Sequence, residues 1–567
     1  MPPPSPADQH RLVVPLRTRV RDAIAHAWDG AVESGDLPVP TADERPTVEI
    51  DRPSHPEHGD LSTNLAMKLA RPYRRAPLAI ASAIVSQLRA DAAADSSSAI
   101  ARVEVAPPGF INVWLAESAV TRIVDAVLAR PADWGMVAPI RPRSVNVEFV
   151  SANPTGPLTI GNARGAFVGD LLCRILAAGG QTVTREYYFN DAGAQVDKLG
   201  ASVLAVVDRR EIPEDGYHGA YVAELANELP ADILAAARAS DAPEAVAGRW
   251  ATDRVRQGIE ASLGHLGVHF DVWTTETKLH AEGWVGRAID RLREHGHVYE
   301  QDGALWFRST TFGDDKDRVI IRSNGQPTYF AADIGYVTEK LGRGFDHLIY
   351  IWGADHHGTV ARVRNAAKAM GYDPDAVQIL LYSWVHFVRD GVEISMSKRA
   401  GEFITLDELL AEVGVDAARW FFASRAATTG IDFDIELAKK QSNENPVYYV
   451  QYAHARIASI LRKASEAGLA PAASVGELAA TPELALARAL VRFPEVVEDA
   501  VIAEETQGVT AFASDLATTF HAFYRDARVV DPDEPDVSAR RLALVAATKT
   551  TIAGALGLLG ISAPESM

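Results

Sequence analysis

Cysteine is almost missing from this sequence. The 567 residues include one, Cys173, which excludes an intrachain disulfide and any multi-cysteine zinc site and fits a reducing compartment. A basic excess is missing too: 56 Lys and Arg face 75 Asp and Glu, a formal charge of −19. Phosphate attraction usually shows as surplus cations, so the sum speaks against a nucleic-acid partner, but binding is local and a sum is not. The start, MPPPSPADQH, lacks the basic-then-apolar order of a signal peptide. No apolar run approaches the ~20 residues that cross a bilayer. The expectation is a cytoplasmic protein with no membrane partner. No G-x-G-x-x-G pattern is present, which weakens a dehydrogenase reading. What the chain does have, 47% hydrophobic and 23% charged residues, is ordinary for a globular protein and excludes a mainly disordered one.

Three units are expected. The first, 1–125, mixes a helical stretch (RLVVPLRTRVRDAIAHAWDGAV) with strands turning at Pro107-Pro108-Gly109, and reads as a small α+β domain. The second, 126–440, opens with SVNVEFV, NPTGPLTIGN and ARGAFVGDLLCRILAAGG, a strand, turn and helix followed by the strand TVTREYYF. That is a βαβ unit, so a Rossmann-like parallel sheet is expected. A helical insertion is placed at about 195–300, with strands resuming at ALWFRS, HLIYIWG and VHFV. The third, 441–567, spaces apolar residues at three and four and reads as an α-helical bundle.

Two segments carry chemistry. The turn with Asn153, Pro154, Gly156 and Gly161 delivers the chain to a helix N-terminus, where free N–H groups and the helix dipole attract phosphate. Any βα connection also favours Pro and Gly, so the turn alone leaves phosphate binding open. Further on, Asp390-Gly391 signals a hairpin that runs into Met396-Ser397-Lys398-Arg399-Ala400-Gly401, a basic loop whose Lys can meet a departing phosphate as a mobile charge. An isolated Lys-Arg pair is more commonly a solvated turn.

Together, NPTGPLTIGNARG and SMSKRAG resemble, in order and spacing, the two signatures of class I aminoacyl-tRNA synthetases. EFVSANPTGP, REYYFNDAGAQ, SNGQPTYFAADIGY, GADHHG, NPVYYVQYAHARI and the terminus LLGISAPESM narrow the resemblance to the arginyl-tRNA synthetases, over nearly the whole chain. The resemblance implies ATP-dependent activation of L-arginine, with Mg2+ accompanying ATP, and transfer to tRNA(Arg) by a monomer. It implies catalytic roles for Thr159, Asn162 and Lys398, and ATP contacts from Pro157, Gly161, Arg164, Gly353, Asp355, Met396, Ser397 and Lys398. Arginine is expected at Glu148, Ser151, Asn153, Tyr329, Asp333 and His356, and no metal site is expected on the protein. Tyr329 and Asp333 are four apart, hence on one helix face, and a guanidinium needs planar acceptors.

Two departures stand out. The family's two histidines fall on Thr159 and Asn162, and its first loop lysine falls on Ser395. Thr and Asn can donate hydrogen bonds but cannot become cationic, so a catalytically impaired tRNA-binding paralogue is the alternative. A nucleotidyltransferase acting on small molecules is a third reading, which leaves the long helical unit without a purpose. Tyr448, Tyr452 and Arg456 share a helix face and suit stacked anticodon bases, though Tyr at helical spacing equally describes core packing. Met567 is implied as a further tRNA contact. Phe110 and Asn112 alternate along a strand that the resemblance sets against the tRNA elbow.

Overall fold

The computed structural model describes residues 13–40, 45–139, 141–394, 405–478 and 480–567. Helix α1 (Leu16–Glu33) starts directly after Pro15, and its buried positions Leu16, Val20, Ile24, Ala27, Trp28 and Ala31 step at three and four. It packs with α2 (Leu65–Tyr73) and α3 (Pro77–Ala94) on an antiparallel sheet of order β1 (Leu61–Thr63), β3 (Phe110–Leu115), β2 (Ile100–Ala106). On β3, Ile111, Val113 and Leu115 face the core, which leaves Phe110, Asn112 and Trp114 on the other face. Helix α4 (Glu117–Ala129) leads out of this unit.

The central sheet has five parallel strands in the order β11 (Val377–Tyr382), β10 (His347–Gly353), β4 (Ser144–Glu148), β5 (Thr182–Phe189), β6 (Val272–Thr275). β4 lies in the middle, and Val145 to Glu148 are all buried, as in a strand covered on both faces. The chain leaves β4 toward β5 on one side and returns as β10 on the other. The carboxyl ends of β4 and β10 therefore flank a topological switch point, where open α/β sheets hold their ligands. Helix α5 (Ile160–Ala178) joins β4 to β5.

The stretch expected as one helical insertion contains a sheet strand. Helices α6 (Ala194–Val207), α7 (Ala220–Glu228), α8 (Ala231–Ala239) and α9 (Pro243–His265) are followed by β6, which pairs with β5. Next come α10 (Glu276–Ala281), α11 (Trp284–Glu294) and a separate antiparallel sheet of β7 (Val298–Gln301), β8 (Ala304–Phe307) and β9 (Arg318–Ile321). ALWF is therefore not in the central sheet: Asp302 and Gly303, both at positive φ, fold it back on its neighbour. After α12 (Tyr329–Gly342), β10 and α13 (His357–Ala369), the fifth strand is VQILLY. VHFV instead forms β12 (Val385–Arg389) of a third sheet. The Asp390-Gly391 hairpin is present, with φ of 51° and 77°, and Arg389 opposes Val392 of β13 (Val392–Glu393). Helices α14 (Leu406–Val413) and α15 (Val415–Ala423), strand β14 (Ile431–Asp434) and α16 (Ile435–Lys439) complete the unit.

Five helices follow: α17 (Pro446–Glu466), α18 (Thr481–Leu490), α19 (Phe493–Ala503), α20 (Gln507–Asp526) and α21 (Pro535–Leu558). α21 is long and apolar enough by composition to cross a bilayer. It instead buries Leu542, Val545, Ile552 and Leu556 within the bundle and packs against α17, α18 and α20.

The first and third units meet directly. Arg52 pairs with the buried Glu495 at 2.7 Å, Arg17 with Glu498 at 2.6 Å, and the Ser474 hydroxyl donates to Asp125 at 2.7 Å. A second junction lies under α5, where buried Asp170 meets Arg174, Arg185 and Arg419 at 2.7, 3.1 and 2.8 Å. Arg419 also donates to the carbonyls of Leu266 and Leu559, tying α15 to the ends of α9 and α21. Cys173 is buried beside this cluster, and burial pushes its thiol up to about 12.

Candidate active site

The connection from β4 to α5 is strained where it leaves the sheet. Val150 and Ser151 have φ of 65° and 42°, and the Ser151 N–H donates to the Phe149 carbonyl at 2.9 Å. A β-branched residue in the left-handed region is a rare outlier of the kind found at functional sites. The turn swings the Ser151 hydroxyl back to donate to Glu148 Oε1 at 3.1 Å while it accepts the Tyr188 N–H at 3.2 Å. Hydroxyls of Tyr187 and Tyr221 donate to the carbonyls of Ala152 and Thr155 at 2.8 and 2.9 Å and brace the rest of the loop.

Thr159 is the N-cap of α5, and Asn162 is in its first turn. Asn162 Oδ1 accepts from both the Thr159 N–H and the Thr159 hydroxyl, at 3.1 and 3.0 Å. A backbone N–H can only donate, so the amide oxygen must face it, and the two Nδ2–H donors are left over. No partner is recorded for them among the described residues. At Gly161 an added Cβ would meet nothing nearer than Thr159 Oγ1 at 3.5 Å. Among the described residues nothing packs so closely there that glycine is required, and the backbone is open to close approach of a ligand. Thr405 forms a bridge to Thr159, and the Leu406 N–H donates to the Leu158 carbonyl at 3.1 Å. The chain thus comes back to this helix start after residue 404. Met396, Ser397 and Lys398 lie outside the described residues.

Beside the turn is an acidic pocket. Glu148 and Glu186 are register partners on β4 and β5. Glu186 is saturated: Tyr336 and Thr274 donate to one oxygen, Asn146 and Arg343 to the other, each at 2.6 Å. Glu148 is buried and pairs with Lys340 at 2.6 Å. Asp333, one turn before Tyr336 on α12, is different. It is half-buried, and no side-chain hydrogen bond or ion pair is recorded for it among the described residues. Burial, then the charges of Glu148 and Glu276, push its carboxyl up to about 7. A half-buried carboxylate without a counter-ion, among other carboxylates, is a place for a cation.

The other expected arginine residues are scattered around that pocket. Asn153 is exposed, donating to Gln195 Oε1 at 2.9 Å and accepting the Asn190 N–H at 3.3 Å. Tyr329 begins α12 and is 74% exposed, so it makes no closed wall as the pocket stands. His356 follows β10, is exposed, and lies 5.9 Å from the Trp352 ring. Gly353 and Asp355 are at the same strand end, where a Cβ on Gly353 would press on Asp355 Oδ1 at 2.5 Å. Pro157 is half-buried in the turn.

Arg164 is placed differently from the expectation of an ATP contact. It is 1% exposed, and its Nη2 donates to the carbonyls of Ala426, Ala427 and Thr429 at 2.8, 2.9 and 2.7 Å. Burial pushes it down to about 10. It braces the 426–429 loop from inside the protein and does not reach the surface of the turn.

Two further clusters lie outside this unit. A cavity of about 370 Å3 is lined by Phe110, Asn112, Asn64, His55 and Arg52. Asn112 Oδ1 accepts from Ser62, while Asn64 Oδ1 is buried with no hydrogen-bond partner among the described residues. On the bundle, Tyr449 and Tyr452 flank His521, with ring centroids 5.2 and 6.0 Å away. The Arg456 guanidinium lies 4.6 Å from the Tyr524 ring, and Tyr448 is half-buried on the same helix. Among the described residues neither ring nitrogen of His521 finds a partner, and burial, then Arg456, lowers its pKa. Met567 is 53% exposed, at the end of a tail held where His454 meets the Pro564 carbonyl at 2.8 Å.

Sequence reasoning missed Glu276, Lys340, Asn64 and His521. Glu276 comes to the pocket from the start of α10, just past the edge strand β6, and Lys340 lies seven residues after Asp333. That spacing of seven, two helical turns, was a usable signal for Lys340; nothing local marked the other three.

Comparison with known proteins adds three family matches. They are the arginyl tRNA synthetase N terminal domain over residues 16–115, the tRNA synthetases class I (R) catalytic domain over 241–427, and the DALR anticodon binding domain over 450–567. An arginine--tRNA ligase of Geobacter sp. (strain M21) is 43% identical over 97% of this chain and 100% of its own length. One of Frankia alni is 45% identical over 96% and 99%. Among solved structures, the Thermus thermophilus arginyl-tRNA synthetase aligns with a TM-score of 0.76 at 25% identity, covering 97% of this chain and 100% of its own.

Proposed function

The chain belongs to the arginyl-tRNA synthetases, and on that footing we propose which of its residues hold each of the three substrates, arginine, ATP and tRNA(Arg). Its reaction is the ATP-dependent joining of arginine to tRNA(Arg). The arginine guanidinium sits against Asp333, with Glu148 and Glu276 as further acceptors and Tyr329 closing over the mouth. One observation carries this reading: Asp333 is a half-buried carboxylate with no counter-ion recorded among the described residues, on a helix that has already spent its own cations on Glu148 and Glu186. Lysine would leave part of a planar acceptor set unpaired, which penalises it. Ser151 and Asn153 take the α-amino and carboxylate ends, and His356 lies at the ribose side.

ATP lies over the start of α5, its phosphates facing Gly161 and the Asn162 amide donors, with Pro157, Gly353 and Asp355 around it. Mg2+ arrives on the ATP phosphates as part of that substrate. The arginine carboxylate attacks the α-phosphate in line, forming arginyl-adenylate and releasing pyrophosphate. A hydroxyl of the terminal ribose of tRNA then attacks the adenylate carbonyl and takes the arginyl group, releasing AMP. No side chain forms a covalent intermediate: positioning and fixed donors carry the rate. We keep Lys398 as the cation on the departing pyrophosphate. The Asn162 amide donors, held in place by Thr159, stand in for the family's histidines, and backbone N–H groups at the helix start share the load. The Phe110 cavity has the size and the free amide groups for one unstacked base of the tRNA elbow, and Tyr448, Tyr452, Arg456 and Met567 face the anticodon loop.

Asp333→Ala tests the pocket. The KM for arginine should rise at least tenfold more than that for ATP; equal rises in both would end the assignment.

A further inference from the structure

We infer that Lys340 is a positioning residue for the arginine site, holding Glu148 as an oriented acceptor whose own charge is already answered, so that the attraction for the substrate comes from Asp333. The inference rests on the pocket proposed above. Lys340 is 0% exposed, and its ammonium donates to Glu148 Oε2 at 2.6 Å. It lies between two aromatic faces, 4.1 Å from the Tyr336 ring centroid and 4.0 Å from that of Tyr350. The ammonium is buried in that slot, and both ring faces favour a cation.

The helix explains the arrangement. Asp333, Tyr336, Lys340 and Arg343 step by three, four and three along α12, which makes one stripe facing β4, β5 and β10. The rest of that stripe is committed: Tyr336 and Arg343, on either side of Lys340, both go to Glu186 at 2.6 Å. Lys340 commits the middle to Glu148, and Asp333 remains uncommitted at the top. One helix therefore carries the substrate's counter-ion and, two turns below it, the clamp on a second acceptor.

The chemistry of Glu148 needs that clamp. Burial raises its pKa, the Glu186 charge adds to this, and the largest opposing influence is Lys340. Loss of the ammonium would move the carboxyl further toward its protonated form, which donates and so has the wrong polarity toward a guanidinium that only donates. With Lys340 on Oε2 and Ser151 on Oε1, the group is fixed in orientation and keeps lone pairs open on Oε1. Its charge is already answered, so it contributes direction, while Asp333 contributes attraction.

The test is Lys340→Met, near-isosteric and neutral, read beside Glu148→Gln and the double variant. The expected result is a rise in arginine KM of about tenfold or more for Lys340→Met, with ATP KM within twofold of the wild type. In the Glu148→Gln background the same change should add less than twofold, because there is no carboxylate left to hold. An arginine KM within twofold of the wild type for Lys340→Met overturns the inference. So does a parallel rise for arginine and ATP, or an undiminished effect in the Glu148→Gln background. Should Lys340→Met alone fail to fold, the double variant, which removes both buried charges, still decides: an arginine KM equal to that of Glu148→Gln supports the inference, and a higher one overturns it. If Asp333→Ala raises arginine KM selectively while Lys340→Met does not, the positioning role falls and the pocket stands. If Asp333→Ala has no selective effect, both fall together.

Discussion

Replacing Asp333 by Asn should stabilise the protein and cripple arginine binding in the same step. The carboxyl is pushed up to about 7, by burial first and then by Glu148 and Glu276, from an ordinary value near 3.8. Between those two values the folded chain holds a proton that the unfolded chain has lost, so stability falls as pH rises through that window and stays low above it. Three pKa units correspond to about 4 kcal/mol at most. The pocket is open to water on one side, so about 1–2 kcal/mol is a realistic gain for the amide, which has nothing to ionise. Denaturant unfolding of the wild type and the Asn variant should coincide near pH 4 and separate by pH 8, with the variant more stable. Arginine affinity should move the other way, weakening by about a hundredfold through loss of a desolvated charge pair. In the wild type, one tenth of Asp333 is ionised at pH 6 and nine tenths at pH 8. The apparent arginine Kd from calorimetry should therefore tighten about tenfold across that range. A variant no more stable than the wild type at pH 8, or one that binds arginine within threefold of it, would refute the reasoning.

Three other outcomes are expected. Asn162→Ala should lower the rate of arginine-dependent ATP–pyrophosphate exchange by about 10–100-fold with little change in arginine KM, since it removes donors felt mainly as phosphate charge develops; Asn162→His should retain activity. Asp170→Asn strips the shared partner from Arg174, Arg185 and Arg419 and should cost about 3–5 kcal/mol, seen as a lower melting temperature. Phe110→Ala should raise the KM for tRNA by about 5–100-fold, the worth of one stacked base, with arginine and ATP constants unmoved.

How much of this was legible depended on distance along the chain. β4 was legible because SVNVEFV is rich in β-branched and aromatic residues and runs straight into the Pro/Gly turn that follows it, and the Asp390-Gly391 hairpin because two residues alone specify it. ALWF and VHFV were legible as strands but not in their sheets, since partner choice is a non-local matter. By the family resemblance of NPTGPLTIGNARG, Arg164 is expected as an ATP contact. Helical spacing argued otherwise: Ile160, Arg164, Phe167 and Leu171 form one buried face, and the guanidinium follows them inward. The pocket's acids come from β4, α10 and α12, and only Glu148 and Asp333 belong to motifs; Glu276 reaches the site through the pairing of β6, which no local pattern announces.

The contact between the first and third units has a consequence for which RNA the enzyme accepts. Arg52 lines the Phe110 cavity and also pairs with Glu495 of the helical bundle. The two proposed RNA readers, at Phe110 and at Tyr452, are thus mounted on one continuous body, joined across the ends of the chain. With the readers placed as proposed, such a body would work as a caliper. It would measure the span between the elbow and the anticodon loop, so that an RNA with the right bases at the wrong separation would satisfy one jaw but not both. Loosening the Arg52–Glu495 joint would then widen the range of lengths accepted before it changed any base preference.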